Sequence, residues 1–323
     1  MIDVSVIVPV YNVSGFVERC VRSLMEQTLD NVEFIFVDDA SPDNSIDIIR
    51  RVIKEYPNRN MRIAIHEYNK GLPSARNTGL DLCVGEYVFH CDADDYVERT
   101  MLESMYRAAK QGDADIVWCD WFLSFESTER YMSQHINGPT SCFLDRMLDG
   151  SIKYNVWNKL VKRVIYQRYG IRFPDGKSMG EDMTMIKIAS VSQSAVYIPK
   201  AYYHYIKTNS SAMSGKFTEK ALVDLKSNTE DVISFVREHK SVPASSIAFF
   251  CQSVKLPFLL TGDKHHYSLW RDWFPESNTY IWKNKGTSVR IRLIQWAASH
   301  KLYFIVFVYC RVVQRFVYKY IYK

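Results

Sequence analysis

After Glu276, this chain of 323 residues contains no aspartate and no glutamate. Nine lysines and arginines follow that point, so the net charge of +5 is a property of the tail. The first 276 residues hold 32 basic and 36 acidic side chains, a net of −4. That balance, with no nucleic-acid-binding motif anywhere, disfavours nucleic acid as the partner. No GxGxxG occurs, which removes the usual dinucleotide fingerprint. There is also no glycine-rich phosphate loop near the N-terminus, where Pro9-Val10-Tyr11-Asn12 stands instead. The seven cysteines form no CxxC pair, and five of them (Cys20, Cys83, Cys91, Cys119, Cys310) sit in apolar contexts. They are expected to be small buried hydrophobes in a reducing cytoplasm. No signal-peptide pattern precedes the first strand. The longest apolar run, Leu302 to Cys310, is nine residues. A membrane-spanning helix needs about 20. Internal repeats and low-complexity stretches are absent.

What is present is an alternation of strand and helix. Val4 to Val10 is a nearly continuous apolar run, as expected of a strand covered on both faces. Phe16, Val17, Cys20, Val21 and Leu24 then recur at helical spacing. Val32 to Val37 predicts a second strand, ending in Asp38-Asp39-Ala40-Ser41. Asp43 or Asn44 is placed to cap the helix after it. Arg62 to His66 predicts a third strand, and Pro73 suits the first turn of a helix over Ser74 to Cys83. The fourth strand starts after Gly85 and runs into Asp92-Ala93-Asp94-Asp95. Four such units predict an α/β fold with an open, doubly wound, mostly parallel sheet.

The carboxylates at residues 92, 94 and 95 carry the chemistry. Like charges crowded at a strand end repel and raise each other's pKa. A hard cation such as Mg²⁺ or Mn²⁺ removes that cost and is commonly shared with substrate phosphates. Open α/β sheets bind ligands beyond the carboxyl ends of their strands, where these residues lie. The plainer alternative is a solvated turn with a helix cap.

The motifs Val4 to Asn12, Asp38 to Asp43, Gly71 with Ser74 to Gly79, and Asp92 to Asp95 together resemble family 2 glycosyltransferases. Those enzymes are inverting and have the GT-A fold. The resemblance implies that Pro9, Tyr11 and Asn12 line the base pocket and that Asp39 accepts a hydrogen bond from the base, with Asp38 as the structural alternative. It implies that Lys70 and Arg76 neutralise diphosphate, Arg76 having a fold-internal salt bridge as its other reading. Asp92, Ala93 and Asp94 bind the nucleotide sugar, with Asp94 and Asp92 on the metal, Mn²⁺ or Mg²⁺. Asp95 is either a further ligand-shell residue or a helix cap. Asp175 to Met183 resembles the family's Glu-Asp motif, making Asp182 the general base and Glu181 its neighbour. A helix N-terminus stabilises the ionised form there. Trp157 and Asn158 are expected to contact acceptor sugar. Tyr202 to Lys207, with Asn209 to Ser211, resembles a loop closing over the diphosphate, with His204 a third metal ligand and Lys207 a phosphate contact.

We expect a catalytic domain over residues 1–215, its halves being 1–110 (nucleotide sugar) and 111–215 (acceptor). Residues 216–323 are expected to be a helical extension. Helices are predicted from Phe217 to Lys240 and from Ala244 to Leu260, and a polar loop from Phe125 to Gly138. In residues 287–323, basic side chains interleave with Trp, Tyr and Phe, a composition suited to an interfacial segment on an anionic leaflet. The resulting expectation is a UDP-sugar-dependent transferase at the inner face of the cytoplasmic membrane. Its acceptor would be a saccharide or a polyprenyl-diphosphate-linked saccharide of the capsular or exopolysaccharide kind. The competing readings are a silent membrane-associated scaffold on the same fold and a nucleotidyltransferase.

Overall fold

The computed structural model describes residues 2–135, 142–177, 179–207 and 218–320, with side chains as far as Val312 in the last helix. In chain order the elements begin β1 (Val4–Val10), α1 (Val17–Met25), β2 (Val32–Asp38), α2 (Ser45–Ile53), β3 (Asn60–Ile65), α3 (Leu72–Leu82) and β4 (Tyr87–His90). They continue with β5 (Tyr96–Val97), α4 (Met101–Gln111), β6 (Ile116–Ser124), β7 (Glu129–Met132), α5 (Phe143–Leu148), β8 (Lys159–Lys162), α6 (Arg163–Arg168) and α7 (Thr184–Val191). Last come β9 (Ala195–Ile206), α8 (Glu219–His239), α9 (Ala244–Leu259), α10 (Lys264–Asp272), α11 (Val289–Ser299) and α12 (Tyr303–Tyr320).

The chain forms two compact units. One comprises Met1–Ser141 and Tyr154–Phe235, and the other Cys142–Lys153 and Val236–Lys323. The division therefore falls at 235, beyond the 215 expected from sequence, and residues 142–153 join the second unit, where α5 packs on α9. No helix among the described residues is long and apolar enough to cross a membrane.

The first unit is built on a sheet of order β3-β2-β1-β4-β8-β6-β9-β5, with β7 paired to β6. The pairs β1–β2, β1–β4 and β2–β3 are parallel, as the apolar runs predict. Beyond β4, the β4–β8, β6–β8 and β5–β9 pairs are antiparallel, and β6–β9 is parallel. The α/β class thus holds, with the N-terminal half of the sheet wholly parallel and the rest mixed. Within the segment Phe125 to Gly138, expected as a polar loop, Glu129–Met132 instead forms β7 and pairs with β6, and residues 136–138 lie outside the described residues.

Parallel pairing puts the carboxyl ends of β1, β2 and β4 on one rim. Val10 lies opposite Asp38, and Ile7 opposite His90. The helix beneath that rim, α3, sits unusually close to β1. A Cβ at Gly79 would lie 2.2 Å from Cγ2 of Ile7. Overpacking a core of this kind typically costs about 1–3 kcal/mol. Gly79→Ala is therefore expected to lower the urea midpoint by that equivalent, and an unchanged midpoint would show that α3 has room to move.

Candidate active site

The loop after β1 and the loop after β2 are tied together. The Asn12 amide donates to Ser41 Oγ (2.8 Å), and the Ser14 amide to Asp43 (2.8 Å). Asn12 and Ala40 both adopt positive φ, 55° and 56°. Such backbone is sparsely populated outside glycine and clusters at functional sites. Asp38 accepts from the Ser41 amide (2.8 Å), so it holds the turn, the structural alternative foreseen for it. The N-cap of α2 is Asn44, without a side-chain cap, and Asp43 accepts from the amide and hydroxyl of Ser45, the first residue of that helix. Burial opposes ionisation of Asp43, and the hydrogen bonds from Ser45, Ser41 and Ser14 outweigh it, bringing the pKa well below the usual carboxylate range.

Asp39 is buried at the rim and firmly oriented. Its Oδ1 accepts from the Lys70 amide (2.8 Å) and lies 2.6 Å from His66 Nδ1, while Oδ2 accepts from the Gly71 amide (2.8 Å). His66 is held in turn by Thr78 (2.9 Å). An ionised carboxylate has about four acceptor positions. Three are taken, which leaves one for a ligand N–H.

At the end of β4, Asp92 meets Arg76 of α3 (2.9 Å). Arg76 is buried, and its Nη1 lies 3.7 Å from Asp182 Oδ1 on the far side. Burial alone would lower the pKa of this guanidinium, and the charges of Asp92, Asp182 and Glu181 raise it instead. Arg76 is thus held between carboxylates, as an arginine in a buried ion pair is, and also lines the cleft. Asp95 is neither cap nor cleft residue. Its oxygens accept from Tyr203 OH (2.7 Å) and the Ile206 amide (2.7 Å), fastening β9 to the acidic turn. Burial and the charges of Asp94 and Asp92 push its pKa well above the usual range.

The opposite wall is carried by residues 172–183. Asn77 exchanges two 2.9 Å hydrogen bonds with the backbone of Phe173, and Ser74 donates to Asp175. Arg172 pairs with Asp81. The same helix that presents Arg76 to Asp92 thus clamps the segment leading to Asp182. Gly180 takes a φ of 88°, where a side chain would be strained, and opens a 3₁₀ turn, Glu181–Met183, that runs into α7. Asp182 keeps 38% of its side chain open to the recess. Its pKa is pushed up to about 7 by desolvation and by the Glu181 charge, against the pull of Arg76. The helix-end effect expected to keep it ionised is therefore outweighed.

These walls enclose one cleft of about 680 Å³. Pro9, Tyr11, Asn12 and Asp39 line one part of it, Arg76, Asp92, Ala93 and Asp94 the middle, and Glu181, Asp182 and Trp157 another. Trp157 stacks on Tyr203 and Tyr205, with ring centroids 4.5 and 5.4 Å apart, and Tyr205 also reaches the cleft.

Of the other residues expected in the site, His204 and Asn158 are not among those lining the cleft, and Lys70 stands between two that are, Asn69 and Gly71. His204 stacks between Tyr96 and Phe122, and its two nitrogens lie 3.0 Å from Glu98 and 2.7 Å from Glu129. With both nitrogens engaged, it is not a third metal ligand. Asn158 is buried, donating to the Cys119 carbonyl (2.8 Å) and accepting from Lys159 Nζ (2.8 Å), so it does not meet an acceptor. Lys70 contributes its amide to Asp39, while its ammonium lies exposed over Tyr68. The Lys207 amide donates to the Ser124 carbonyl (2.8 Å), and Asn209 to Ser211 lie outside the described residues.

Sequence reasoning missed His66, Ser74, Asn77 and Tyr205. Ser74 and Asn77 belong to the quoted motif, yet only the fold reveals what they clamp. For Tyr205 a signal existed. Neighbouring strand residues face opposite ways, so Tyr205 and His204 cannot share the cleft face.

Among the described residues, no three His, Cys, Asp or Glu side chains are grouped to hold a metal. Of the carboxylates lining the cleft, Asp92 and Asp94 stand together at the end of β4. That donor set fits a hard cation completing its shell with phosphate and water, and does not fit a cation needing an all-protein cage.

With this geometry in view, comparison with known proteins is specific. Over 211 residues the chain is 31% identical to EpsH of Bacillus subtilis, named a glycosyltransferase, which covers 62% of this chain and 60% of EpsH. It is 28% identical over 251 residues to the poly(ribitol-phosphate) beta-glucosyltransferase of Bacillus spizizenii, covering 72% of this chain and 37% of that one. The chain thus spans less than two thirds of these relatives. Among solved structures, Staphylococcus aureus TarS 1-349 in complex with UDP-GlcNAc aligns with a TM-score of 0.68 at 18% identity, over 96% of this chain and 92% of that one. The fold is accordingly GT-A. The model of Glycosyl transferase family 2 matches residues 5–182, from the start of β1 to Asp182, and the chain belongs to that family.

Proposed function

We propose that this transferase inverts the anomeric centre of a nucleotide sugar, with UDP as the nucleotide. The sugar passes to a hydroxyl of a saccharide or lipid-linked saccharide during assembly of a cell-surface polysaccharide. The observation that carries the reading is a single cleft bordered by Asp39, by Asp92 and Asp94, and by Asp182. Those are the groups needed for the base, the diphosphate and the acceptor proton, in that order.

The unused acceptor position of Asp39 suits the ring N–H of uracil, beside Tyr11 and Asn12. Asp92 and Asp94 would hold Mg²⁺ or Mn²⁺, which, when bound, offsets negative charge on the diphosphate. Asp182 takes the proton of the acceptor hydroxyl as that oxygen attacks the anomeric carbon opposite the nucleotide. The bond from sugar to diphosphate breaks as the new glycosidic bond forms. Glu181 keeps the pKa of Asp182 high, which strengthens it as a base near neutrality. Trp157 forms a flat apolar wall for a sugar ring.

A base with a pKa of about 7 gives a defined pH profile. Protonation disables it, so kcat/KM is expected to fall about tenfold per pH unit below that value and to level off above it. Glu181→Gln removes the neighbouring negative charge and shifts the falling limb to lower pH. A limb that stays in place would remove Glu181 from this role. The broad test is a screen of nucleotide sugars for donor hydrolysis with Mn²⁺ and Mg²⁺. The expected result is turnover of a UDP-sugar, and failure of every donor would overturn the proposal.

A further inference from the structure

The second unit carries a feature that the transfer reaction does not use. Along α12, Val306 and Cys310 are buried, and the Cys310 thiol donates to the Leu259 carbonyl (2.7 Å). Among the described residues, the other side of the same helix is exposed. Phe304 is 77% exposed, Ile305 50%, Val308 41% and Val312 51%. Their spacing of i, i+1, i+4 and i+8 makes one stripe, with the exposed Arg311 at its edge and the exposed Lys301 in the turn just before the helix. The neighbouring α11 packs on α12 and repeats the pattern, with Val289, Leu293 and Trp296 exposed beside Arg290. Isolated exposed apolar residues are ordinary, whereas contiguous ones mark interaction surfaces.

The charge of this segment selects the occupant. From Lys283 onward there are nine basic residues and no acidic one. A second copy is disfavoured, because a two-fold interface would set the same basic patch against itself. Apolar side chains framed by cations match an anionic bilayer surface, which takes the rings and aliphatic groups at the acyl boundary and the cations among the headgroups. We propose that the exposed face of α11 and α12 is a docking surface for anionic lipid. The proposal stands on this segment alone, so its failure would leave the transferase reading intact.

The test is flotation of the full chain with vesicles of phosphatidylcholine alone and with an equal part of phosphatidylglycerol. Binding is expected to the mixed vesicles only and to weaken in high salt, as surface electrostatics must. Phe304→Glu with Ile305→Glu should weaken binding tenfold or more and leave donor hydrolysis unchanged. If that double variant fails to fold, Lys301→Glu with Arg311→Glu, at exposed polar sites, should give the same loss. No binding to mixed vesicles, equal binding to neutral ones, or binding unmoved by the variants would overturn the proposal. So would a concentration-dependent dimer that Phe304→Glu dissociates.

Discussion

Asp182→Asn is expected to bind UDP with Mn²⁺ as the parent does and to lose transfer by about 10²–10⁴-fold, the usual contribution of a positioned general base. The substitution preserves shape, so the Arg76 clamp and the 3₁₀ turn should persist. The lost charge is felt by Arg76 and by the buried Lys159, and Asp92 remains to pair the guanidinium (2.9 Å). The measurement is isothermal titration for nucleotide binding alongside an initial-rate assay with donor and acceptor. Retained turnover would move the base to another residue. Lost binding would make Asp182 part of the donor site instead.

The second large effect is at Asp94. Asp94→Ala removes one of the two cleft carboxylates, Asp92 and Asp94, proposed to hold the cation, while Asp95 is turned towards β9. Losing even an outer partner of a metal commonly costs 10–100-fold in affinity, so loss of a ligand should weaken UDP binding in Mn²⁺ by about 100-fold or more. Without divalent cation, parent and variant should bind UDP equally weakly. Equal affinity in Mn²⁺ would take the cation away from Asp94.

Much of this was legible in the sequence, for physical reasons that differ by residue. The strands β1, β2 and β4 are covered on both faces, so their apolar runs are nearly unbroken, and each polar residue ending them marks the rim. Asp39, Asp92 and Asp94 lie at such ends, Asp182 lies in the 3₁₀ turn before α7, and all four border the cleft. What a sequence does not display is which partner a polar group finds. Asn158 follows Trp157 directly, yet one turns into the core and the other lines the cleft. Arg76 offered two roles, and only the fold places its buried guanidinium between two carboxylates at the cleft wall. For His204 the register of β9 decides. Irregular pairing of β6 and β9 around Asp120 sets which residues face which way, and Tyr203 and Tyr205 then take the side of Trp157. Residues 142–153 join the helical unit through packing of α5 on α9, which no local pattern encodes.

The most direct test of the account is a crystal structure of the chain with UDP and Mn²⁺. The account predicts uracil against Asp39, the cation at Asp94, and the terminal phosphate turned towards the space in front of Asp182. Nucleotide bound outside this cleft, or bound with Asp182 screened from its phosphate end, would contradict it.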